Sequence, residues 1–195
     1  MYYKKLEESV RMREEIKKEG VEWLKAFAIG IVIFVFIRMF FFSNYVVEGE
    51  SMMPTLQDGN KLVVNKIGYQ IGELHRFDVI VFHANEQEDY VKRLIGLPGD
   101  EIEYRDDQLF INGKKYEEPY LEKYRKQTFG GRLTGNFTLY ELTGKKTVPE
   151  NMIFVLGDNR LGSRDSREFG FVSVDQVVGK VNLRYWPMDE VAVSF

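Results

Sequence analysis

The hydrophobic and polar positions divide the chain into a charged segment, an apolar run and a long β-patterned region. In residues 1–22, acidic and basic side chains recur at i,i+4 spacing, which predicts a short solvated helix. Residues 23–42 are almost entirely apolar, and a helix of that length is about 30 Å long, enough to cross the hydrocarbon core of a bilayer. We therefore predict an N-terminal segment over residues 1–22 and a transmembrane anchor over residues 23–43.

The two charges in the apolar run lie near its ends, so Lys25 and Arg38 can extend their charged groups to the lipid head groups. A buried helix of a soluble domain is the alternative, but residues 26–37 have no polar face. A cleavable signal peptide needs small residues at its cleavage site, whereas the residues that follow this run are bulky. Because the basic residues cluster before the run, we expect a single-pass protein of the plasma membrane, with the N-terminus cytoplasmic and the chain from residue 44 extracytoplasmic.

From residue 44 onward, short β-branched and aromatic runs alternate with Gly, Pro and Asn, a pattern typical of antiparallel β-structure. Asn112-Gly113 between two such runs predicts a type I′ hairpin. Residues 117–148 are polar and Gly-rich, and we interpret them as a flap or small insertion. The predicted fold class is mainly β: an antiparallel β-sheet ectodomain over 44–195, preceded by one N-terminal transmembrane α-helix. The predicted strands are KLVVNKI, FDVIVFHA, YVKRLIG, EIEYR, QLFING, NMIFVLG and GKVNLRYW.

Composition narrows the chemistry that this region can perform. The chain is 44% hydrophobic, as a folded core requires, and its net charge of -3 lacks the basic excess of a nucleic-acid-binding protein. Cysteine is absent, which excludes disulfides, thiol nucleophiles and cysteine-bound zinc. The two histidines, His75 and His83, are too few for a histidine-rich metal site. We expect no metal, no cofactor and no nucleic-acid partner.

Three clusters in the β-patterned region carry residues capable of chemistry. In the first, residues 47–60, Ser51 follows a predicted strand and precedes Met-Met-Pro. Pro54 restricts Met53 to extended geometry, which favours a fixed, non-helical turn at Ser51. A serine in a turn is usually only a turn residue, so this cluster alone leaves its role open.

The second cluster, residues 90–100, places Lys92 in an otherwise apolar run. Strand alternation puts Lys92 on the face of Leu94 and opposite Arg93, so we expect one of the two basic side chains to face inward. A lysine buried without a counter-charge has a lowered pKa and can act as a general base. The alternative is an edge-strand lysine that prevents aggregation.

The third cluster, residues 156–172, combines six charged side chains with two serines among glycines. Such a loop is either plain solvated surface or a salt-bridge network that fixes a functional loop. The loop alone does not decide between them. The residues are Asp158, Arg160, Ser163, Arg164, Asp165, Ser166, Arg167 and Glu168.

Together the clusters resemble the sequence boxes of the type I signal peptidases, also called leader peptidases. The serine box SMxPT stands at residues 51–55, the strand box at 76–82, the lysine box at 92–100 and the last box at 157–171. The compact chain with a single anchor is similar to the Gram-positive bacterial members. The resemblance implies a membrane-bound serine endopeptidase that removes signal peptides from secreted preproteins, cleaving after small residues at substrate positions −1 and −3.

The resemblance also implies roles for individual residues. Ser51 would be the nucleophile and Lys92 its general base in an acyl-enzyme mechanism without metal or cofactor, and Ser163 would hydrogen-bond the lysine amine. Two positions depart from the family pattern. Phe77 stands where glycine is common, a difference that we expect to be structural. Gly49 stands where some members carry a serine whose hydroxyl helps form the oxyanion hole, so the hole would rely on backbone N–H groups. The N–H of Ser51 would be the first, helped by water or by a main-chain donor near Gly49.

The remaining residues implied by the resemblance support the site or bind the substrate. Two ion pairs would support it, Arg93 with Asp158 and Asp165 with Arg167. The substrate would bind extended, adding a strand beside residues 45–50 and 89–92. Its contacts would be Tyr45, Val47, Met52, Pro54, Asp89 and Tyr90.

Two other functions compete with this reading. A self-cleaving repressor-type peptidase shares the Ser/Lys chemistry but would carry a DNA-binding helix-turn-helix in place of the apolar run. A catalytically inactive, membrane-tethered β-domain would only bind exported peptides or a translocon partner, and the presence of both Ser51 and Lys92 argues against it. The expected partners are signal-peptide-bearing preproteins, the lipid bilayer and the secretion translocon.

Overall fold

The computed structural model describes residues 2–66, 74–127, 132–193 and 195. The chain separates into two compact units, Met1–Phe41 and Phe42–Phe195. The first unit is one helix, α1 (Tyr2–Phe41). The short helix predicted for residues 1–22 is part of this continuous helix, and the described side chains of α1, residues 17–36, are exposed.

The anchor was predicted for residues 23–43. For residues 37–41 the structure describes the backbone only, so the side chains of this part of the anchor lie outside the description. Within the part of the chain that the structure describes, no helix is long and apolar enough to cross a membrane. Helix α1 ends at Phe41, and Phe42 begins the first strand, where it pairs with Asn65. The anchor stays a prediction.

The second unit confirms the predicted mainly β, antiparallel fold. Every strand pairing in the described residues is antiparallel. Three short α-helices accompany the strands: α2 (Glu122–Gln127), α3 (Leu139–Thr143) and α4 (Ser166–Phe169). The strands are β1 (Phe42–Val46), β2 (Lys61–Asn65), β3 (Val79–His83), β4 (Asp89–Gly96), β5 (Ile102–Arg105), β6 (Gln108–Ile111), β7 (Lys114–Tyr116), β8 (Phe137–Thr138), β9 (Met152–Leu156), β10 (Val172–Ser173) and β11 (Val177–Trp186).

These strands form a large and a small sheet. The large sheet has the strand order β1-β2-β11-β3-β4-β9-β10, and the small sheet has the order β7-β6-β5-β8. Side chains from both sheets meet in one buried cluster, which includes Ile95 of β4, Tyr104 of β5 and Phe154 of β9. The small sheet is therefore packed onto the core of the large one.

The predicted hairpin and insertion both lie at the small sheet. Asn112 and Gly113 have left-handed φ angles of 53° and 76° between the paired residues Ile111 and Lys114, as a type I′ turn requires. The segment 117–148, predicted as a flap or insertion, holds α2, β8 and α3, and β8 extends the small sheet by pairing with β5. Its residues 128–131 lie outside the described part of the chain.

The central strand β4 is covered on both faces, which goes beyond one expectation. Leu94 and Ile95 belong to two different core clusters, so successive side chains of β4 enter separate interiors. Lys92 and Arg93 are accordingly both buried, with 3% and 0% of their surfaces exposed. The expectation that one of the two basic side chains faces inward is confirmed, and the second faces inward as well.

Candidate active site

Ser51 lies in a tight turn between β1 and β2. The Met53 N–H donates to the Glu50 carbonyl at 3.1 Å, and the Leu56 N–H donates to the Met52 carbonyl at 3.0 Å. Met52 and Leu56 are buried in the core on either side of these bonds. Since two apolar side chains anchor the turn, Ser51 is held at the surface of the domain in a fixed position.

Lys92 of β4 reaches this turn. Its Nζ donates a hydrogen bond to Ser51 Oγ at 2.8 Å and another to the Val91 carbonyl at 3.1 Å. Burial lowers the pKa of Lys92 from 10.5 to about 8, against the opposing attraction of the Asp165 and Asp158 carboxylates. An amine that is neutral near pH 8 and contacts a serine hydroxyl can accept the hydroxyl proton.

A groove of about 680 Å³ opens beside the Ser51–Lys92 pair. Strand β1 forms one wall, and among the described strands it pairs only with β2. Strand β4 forms the other, and from Asp89 to Lys92 its one described partner is β3, because pairing with β9 begins at Arg93. Two strand edges without a partner strand therefore flank the groove, which is the geometry that accepts an extended peptide.

Five of the six residues predicted to bind substrate line this groove, and one does not. The exception is Pro54, which follows the buried Met52 in the chain and is not part of the groove lining. The five that line it are Tyr45, Val47, Met52, Asp89 and Tyr90. Lining residues that the sequence analysis did not assign are His83, Glu86, Gln87, Gly162 and Arg164. Gly162 and Arg164 belong to the third cluster, residues 156–172, to which no substrate contact was assigned. The other three lie at the end of β3 and in the turn that follows, where no local pattern marks them.

The two walls of the groove are joined by a side-chain bridge. Tyr45 of β1 donates its hydroxyl to Asp89 Oδ2 of β4 at 2.9 Å, and His83 Nδ1 lies 2.6 Å from Asp89 Oδ1. Burial raises the pKa of Tyr45 to about 12, and the hydrogen bond and charge of Asp89 add to this effect. Tyr45 therefore remains a neutral donor throughout the physiological pH range.

Ser163 does not make the hydrogen bond predicted for it. Its Oγ is buried and has no hydrogen-bond partner among the described residues, since the Lys92 amine is directed to Ser51 Oγ and the Val91 carbonyl. Ser163 packs instead against Gly157, where an added Cβ would overlap both the Ser163 side chain and the Ser51 carbonyl. Gly157 thus permits the close approach of this loop to the Ser51 turn.

Both ion pairs predicted to support the site are present. Arg93 Nε and Nη2 donate to the two carboxylate oxygens of Asp158 at 2.8 and 2.6 Å, and both side chains are fully buried. Thr55 Oγ1 donates to the same carboxylate at 2.5 Å, which ties the Ser51 turn to the pair. Arg167 pairs with Asp165 at 2.8 Å, and Asp165 also accepts the Gly157 N–H at 3.0 Å.

A second buried charge, that of Arg160, connects the small sheet to residues 157–171 between β9 and β10, which are called the site loop below. No role was predicted for this arginine. Arg160 Nη1 donates to Tyr104 at 2.9 Å and Thr134 at 2.7 Å, and its Nη2 pairs with Glu118 at 2.5 Å. Arg160 Nε also donates to the carbonyl of Gly157 at 3.1 Å. The network joins four segments far apart in sequence, so the charge pattern of the loop could not identify it.

The backbone near Gly49 differs from the expectation. Gly49 has a left-handed φ of 85°, and its N–H donates to the Asp58 carboxylate at 2.8 Å, so this N–H is already engaged and is not an oxyanion donor. The Ser51 N–H has no hydrogen-bond partner among the described residues. Of the two backbone donors considered, it is therefore the one available to a developing negative charge. No cluster of three or more potential metal ligands occurs in the described part of the chain.

The groove, the serine hydroxyl and the lysine of lowered pKa define a candidate hydrolase site that would take an extended peptide. The profile of one protein family, described as "Signal peptidase, peptidase S26", matches residues 20–186. The chain therefore belongs to this signal peptidase family, and it is a serine peptidase.

Individual relatives agree with this assignment. The chain is 57% identical over 184 residues to signal peptidase I of Bacillus caldolyticus, covering 94% of this chain and 100% of that protein. It is 46% identical to signal peptidase IB of Staphylococcus aureus strain MRSA252, covering 92% and 96%. A crystal structure of a signal peptidase I from Enterococcus faecalis superimposes with a TM-score of 0.53 at 47% identity, covering 55% of this chain and 96% of that one.

Proposed function

We propose that this chain is a membrane-bound serine endopeptidase that removes N-terminal signal peptides from secreted preproteins by means of Ser51 and Lys92. The observation that carries the proposal is the 2.8 Å contact between Lys92 Nζ and Ser51 Oγ at the groove. The names of the relatives, signal peptidase I and IB, support the choice of substrate.

Acylation would proceed in two steps. The neutral Lys92 amine accepts the Ser51 proton while Oγ bonds to the scissile carbonyl carbon, and the resulting oxyanion lies against the Ser51 N–H. The intermediate then collapses with cleavage of the C–N bond, and the Lys92 ammonium returns the proton to the leaving amine. The signal peptide stays attached to Ser51 as an ester, and the mature protein departs with a free N-terminus.

Deacylation would repeat the sequence with water. Lys92 removes a proton from a water molecule, which attacks the ester carbonyl and forms a second tetrahedral intermediate. Its collapse breaks the bond to Ser51 Oγ, which regains the proton, and releases the signal peptide as a carboxylic acid. The same amine therefore serves both half-reactions.

The substrate would lie extended between residues 45–50 and 89–92, whose edges lack a partner strand on the groove side in the described structure. In an extended chain, alternate side chains point in one direction, so substrate positions −1 and −3 face the same wall. Met52, which is buried and lines the groove beside Ser51, would limit the room for these side chains. Small residues at both positions are therefore part of the proposal.

The anchor at residues 23–43 would hold the catalytic domain on the extracytoplasmic face of the plasma membrane, with the N-terminus in the cytoplasm. Apolar side chains exposed on α1, such as Trp23, Phe27 and Val32, support contact with lipid. The concentration of Lys and Arg before the run supports the orientation. The bilayer and the secretion translocon, from which preproteins emerge, are the partners that this placement implies.

The test is mass spectrometry of a preprotein incubated with the purified full chain in detergent micelles. We expect one cut, after a residue preceded at −3 by another small residue, and a loss of at least about 100-fold in Ser51→Ala and Lys92→Ala. Lys146→Ala, an exposed lysine far from the groove in sequence, is the matched control and should retain full activity. Undiminished cutting by the Ser51→Ala protein would refute the proposal.

A further inference from the structure

Asn159 holds the peptide groups on both sides of the nucleophile. Its side-chain Nδ2 donates to the Glu50 carbonyl at 3.1 Å, and its backbone N–H donates to the Ser51 carbonyl at 3.0 Å. Asn159 is not among the residues that line the groove. One residue of the site loop therefore binds two successive carbonyls of the Ser51 turn without lying in the space that the substrate would occupy.

The bond from Asn159 to Glu50 helps to fix the direction of the Ser51 N–H, together with the bond that the Met53 N–H donates to the same carbonyl at 3.1 Å. The peptide between Glu50 and Ser51 is planar and trans, so its C=O and its N–H point in opposite directions. The Asn159 amide binds the carbonyl side of this plane, and the N–H side has no partner among the described residues. Rotation of the plane would break both bonds to the Glu50 carbonyl, and the one from Asn159 is the only one of the two that a side-chain substitution can remove.

We propose that Asn159 is a positioning residue that directs the Ser51 N–H toward the oxyanion of the tetrahedral intermediate. The inference rests on the proposed function, because it assumes acyl transfer at Ser51. A preorganised donor stabilises the oxyanion better than one that must reorient during the reaction. The need is greater here because Gly49 offers no hydroxyl and its N–H is bound to Asp58.

Asn159 is itself well fixed. Its Oδ1 accepts the Gly162 N–H at 3.2 Å, and the neighbouring Asp158 is bound by Arg93 and Thr55. A Cβ at Gly162 would lie 3.0 Å from Asn159 Nδ2, so glycine leaves the amide the room to keep its orientation. The direction of the Ser51 N–H is thus linked to the buried Arg93–Asp158 pair through Asn159.

The experiment compares Asn159→Ala and Asn159→Asp with wild type in the full chain, using a signal-peptide substrate at a pH where the rate no longer rises. Alanine removes the amide donor, whereas aspartate keeps the side-chain size but places an oxygen against the Glu50 carbonyl. We expect kcat to fall roughly 10- to 100-fold in both variants, with KM changed by less than about 3-fold. Leu161→Ala, in the same loop with 70% of its surface exposed, is the matched control and should behave as wild type.

A second measurement separates positioning from a general structural effect. A peptide aldehyde forms a hemiacetal with Ser51 whose oxygen occupies the oxyanion position, whereas an uncleavable peptide of the same sequence only fills the groove. We expect the Asn159 variants to lose aldehyde affinity by the same factor as kcat/KM and to bind the uncleavable peptide as wild type does.

The outcomes distinguish this inference from the proposed function. If Ser51→Ala and Lys92→Ala keep their activity in the same assay, the proposed function is wrong and this inference with it. If both are inactive but the Asn159 variants keep kcat within about 2-fold of wild type, or lose affinity equally for aldehyde and uncleavable peptide, only the role of Asn159 is refuted.

Discussion

Phe77 has a backbone conformation that few residues of its kind adopt. Its φ of 72° is left-handed, which costs an L-residue roughly 1–2 kcal/mol. Its carbonyl accepts a hydrogen bond from Arg93 Nη1 at 2.8 Å, so this conformation helps to hold a supporting residue of the site. The ring packs against Tyr116 and Tyr120, with centroids 6.1 and 6.0 Å apart. Glycine, common here in the family that the sequence resembles, would adopt the same backbone without strain.

This conformation predicts an unusual order of stability at position 77. Phe77→Ala and Phe77→Gly both lose the ring packing, but only glycine relieves the left-handed strain. We expect Phe77→Gly to be about 1 kcal/mol more stable than Phe77→Ala, measured by denaturant unfolding. At Gln108, an exposed position of β6 outside the left-handed region, alanine should be the more stable of the same pair. The same order at both positions would refute the strain argument.

The lowered pKa of Lys92 predicts the pH dependence of hydrolysis. In the proposed mechanism the neutral amine is the working base, so kcat/KM should rise with pH through an acidic limb centred near the pKa of about 8. At pH 7 roughly a tenth of the enzyme would carry a neutral Lys92, compared with far less than one per cent for an ordinary lysine. Initial rates measured from pH 6 to pH 10 check the position of the limb.

The Lys92→Arg variant is a second test of Lys92 as the general base. Arginine keeps the positive charge but cannot lose its proton, so the variant should be as inactive as Lys92→Ala. The competing base is histidine, since His83 also lines the groove. An acidic limb near pH 6.5 that disappears in His83→Gln would show that Lys92 is not the base.

For single residues, the sequence predicted which residues form the site better than it predicted which atoms they contact. Resemblance to known boxes singled out Ser51 and Lys92, and the structure brings these two side chains together. It also implied a hydrogen bond from Ser163 that is not made. Which atom a hydroxyl contacts depends on differences of about an ångström between loops, and no sequence pattern reports such differences.

Strands were more predictable than the sheets they form. All seven predicted runs coincide with strands because β-branched and aromatic residues alternate within them and turn residues end them. The strand predicted before Ser51 was given no bounds and corresponds to β1, whereas β8 and β10 were not predicted because they have two residues each, too few for a period. The strand order depends on pairings between distant residues, such as β2 with β11, which a local pattern does not contain.

Strand β4 is linked to the site loop by the buried ion pair of Arg93 and Asp158. Removing one partner leaves the other charge buried without compensation, so Arg93→Met and Asp158→Ala should each destabilise the domain by about 3–5 kcal/mol. The double variant should lose much less than the sum. A double-mutant cycle from denaturant unfolding measures this coupling.

The exposed pair of Arg164 and Glu168 provides the control for that cycle. Its atoms are 3.9 Å apart and both side chains are mostly exposed, so its coupling should lie below about 0.5 kcal/mol. Equal coupling in the two cycles would show that burial does not determine the strength of the Arg93–Asp158 link.

At the scale of the whole molecule, the residues proposed for catalysis all lie in one unit. Ser51, Lys92 and the groove belong to Phe42–Phe195, while Met1–Phe41 forms a separate unit. A domain with its own buried core can fold without an appended helix. The helix is therefore expected to act on where the enzyme works rather than on its chemistry.

Deletion of residues 1–41 tests whether the helix affects the location of the enzyme rather than its chemistry. The shortened chain keeps the whole of β1 from Phe42 onward, so it should cut a short soluble peptide at a rate similar to that of the full chain. On a preprotein embedded in vesicles it should be much slower, because the proposed anchor would confine enzyme and substrate to one membrane and raise their effective concentration to roughly the millimolar range. The decisive control joins residues 42–195 to an unrelated apolar helix of equal length. Recovery of the vesicle rate by this chimera would show that confinement is sufficient, whereas equal vesicle rates for the full and shortened chains would show that residues 1–41 contribute nothing to encounter with the substrate.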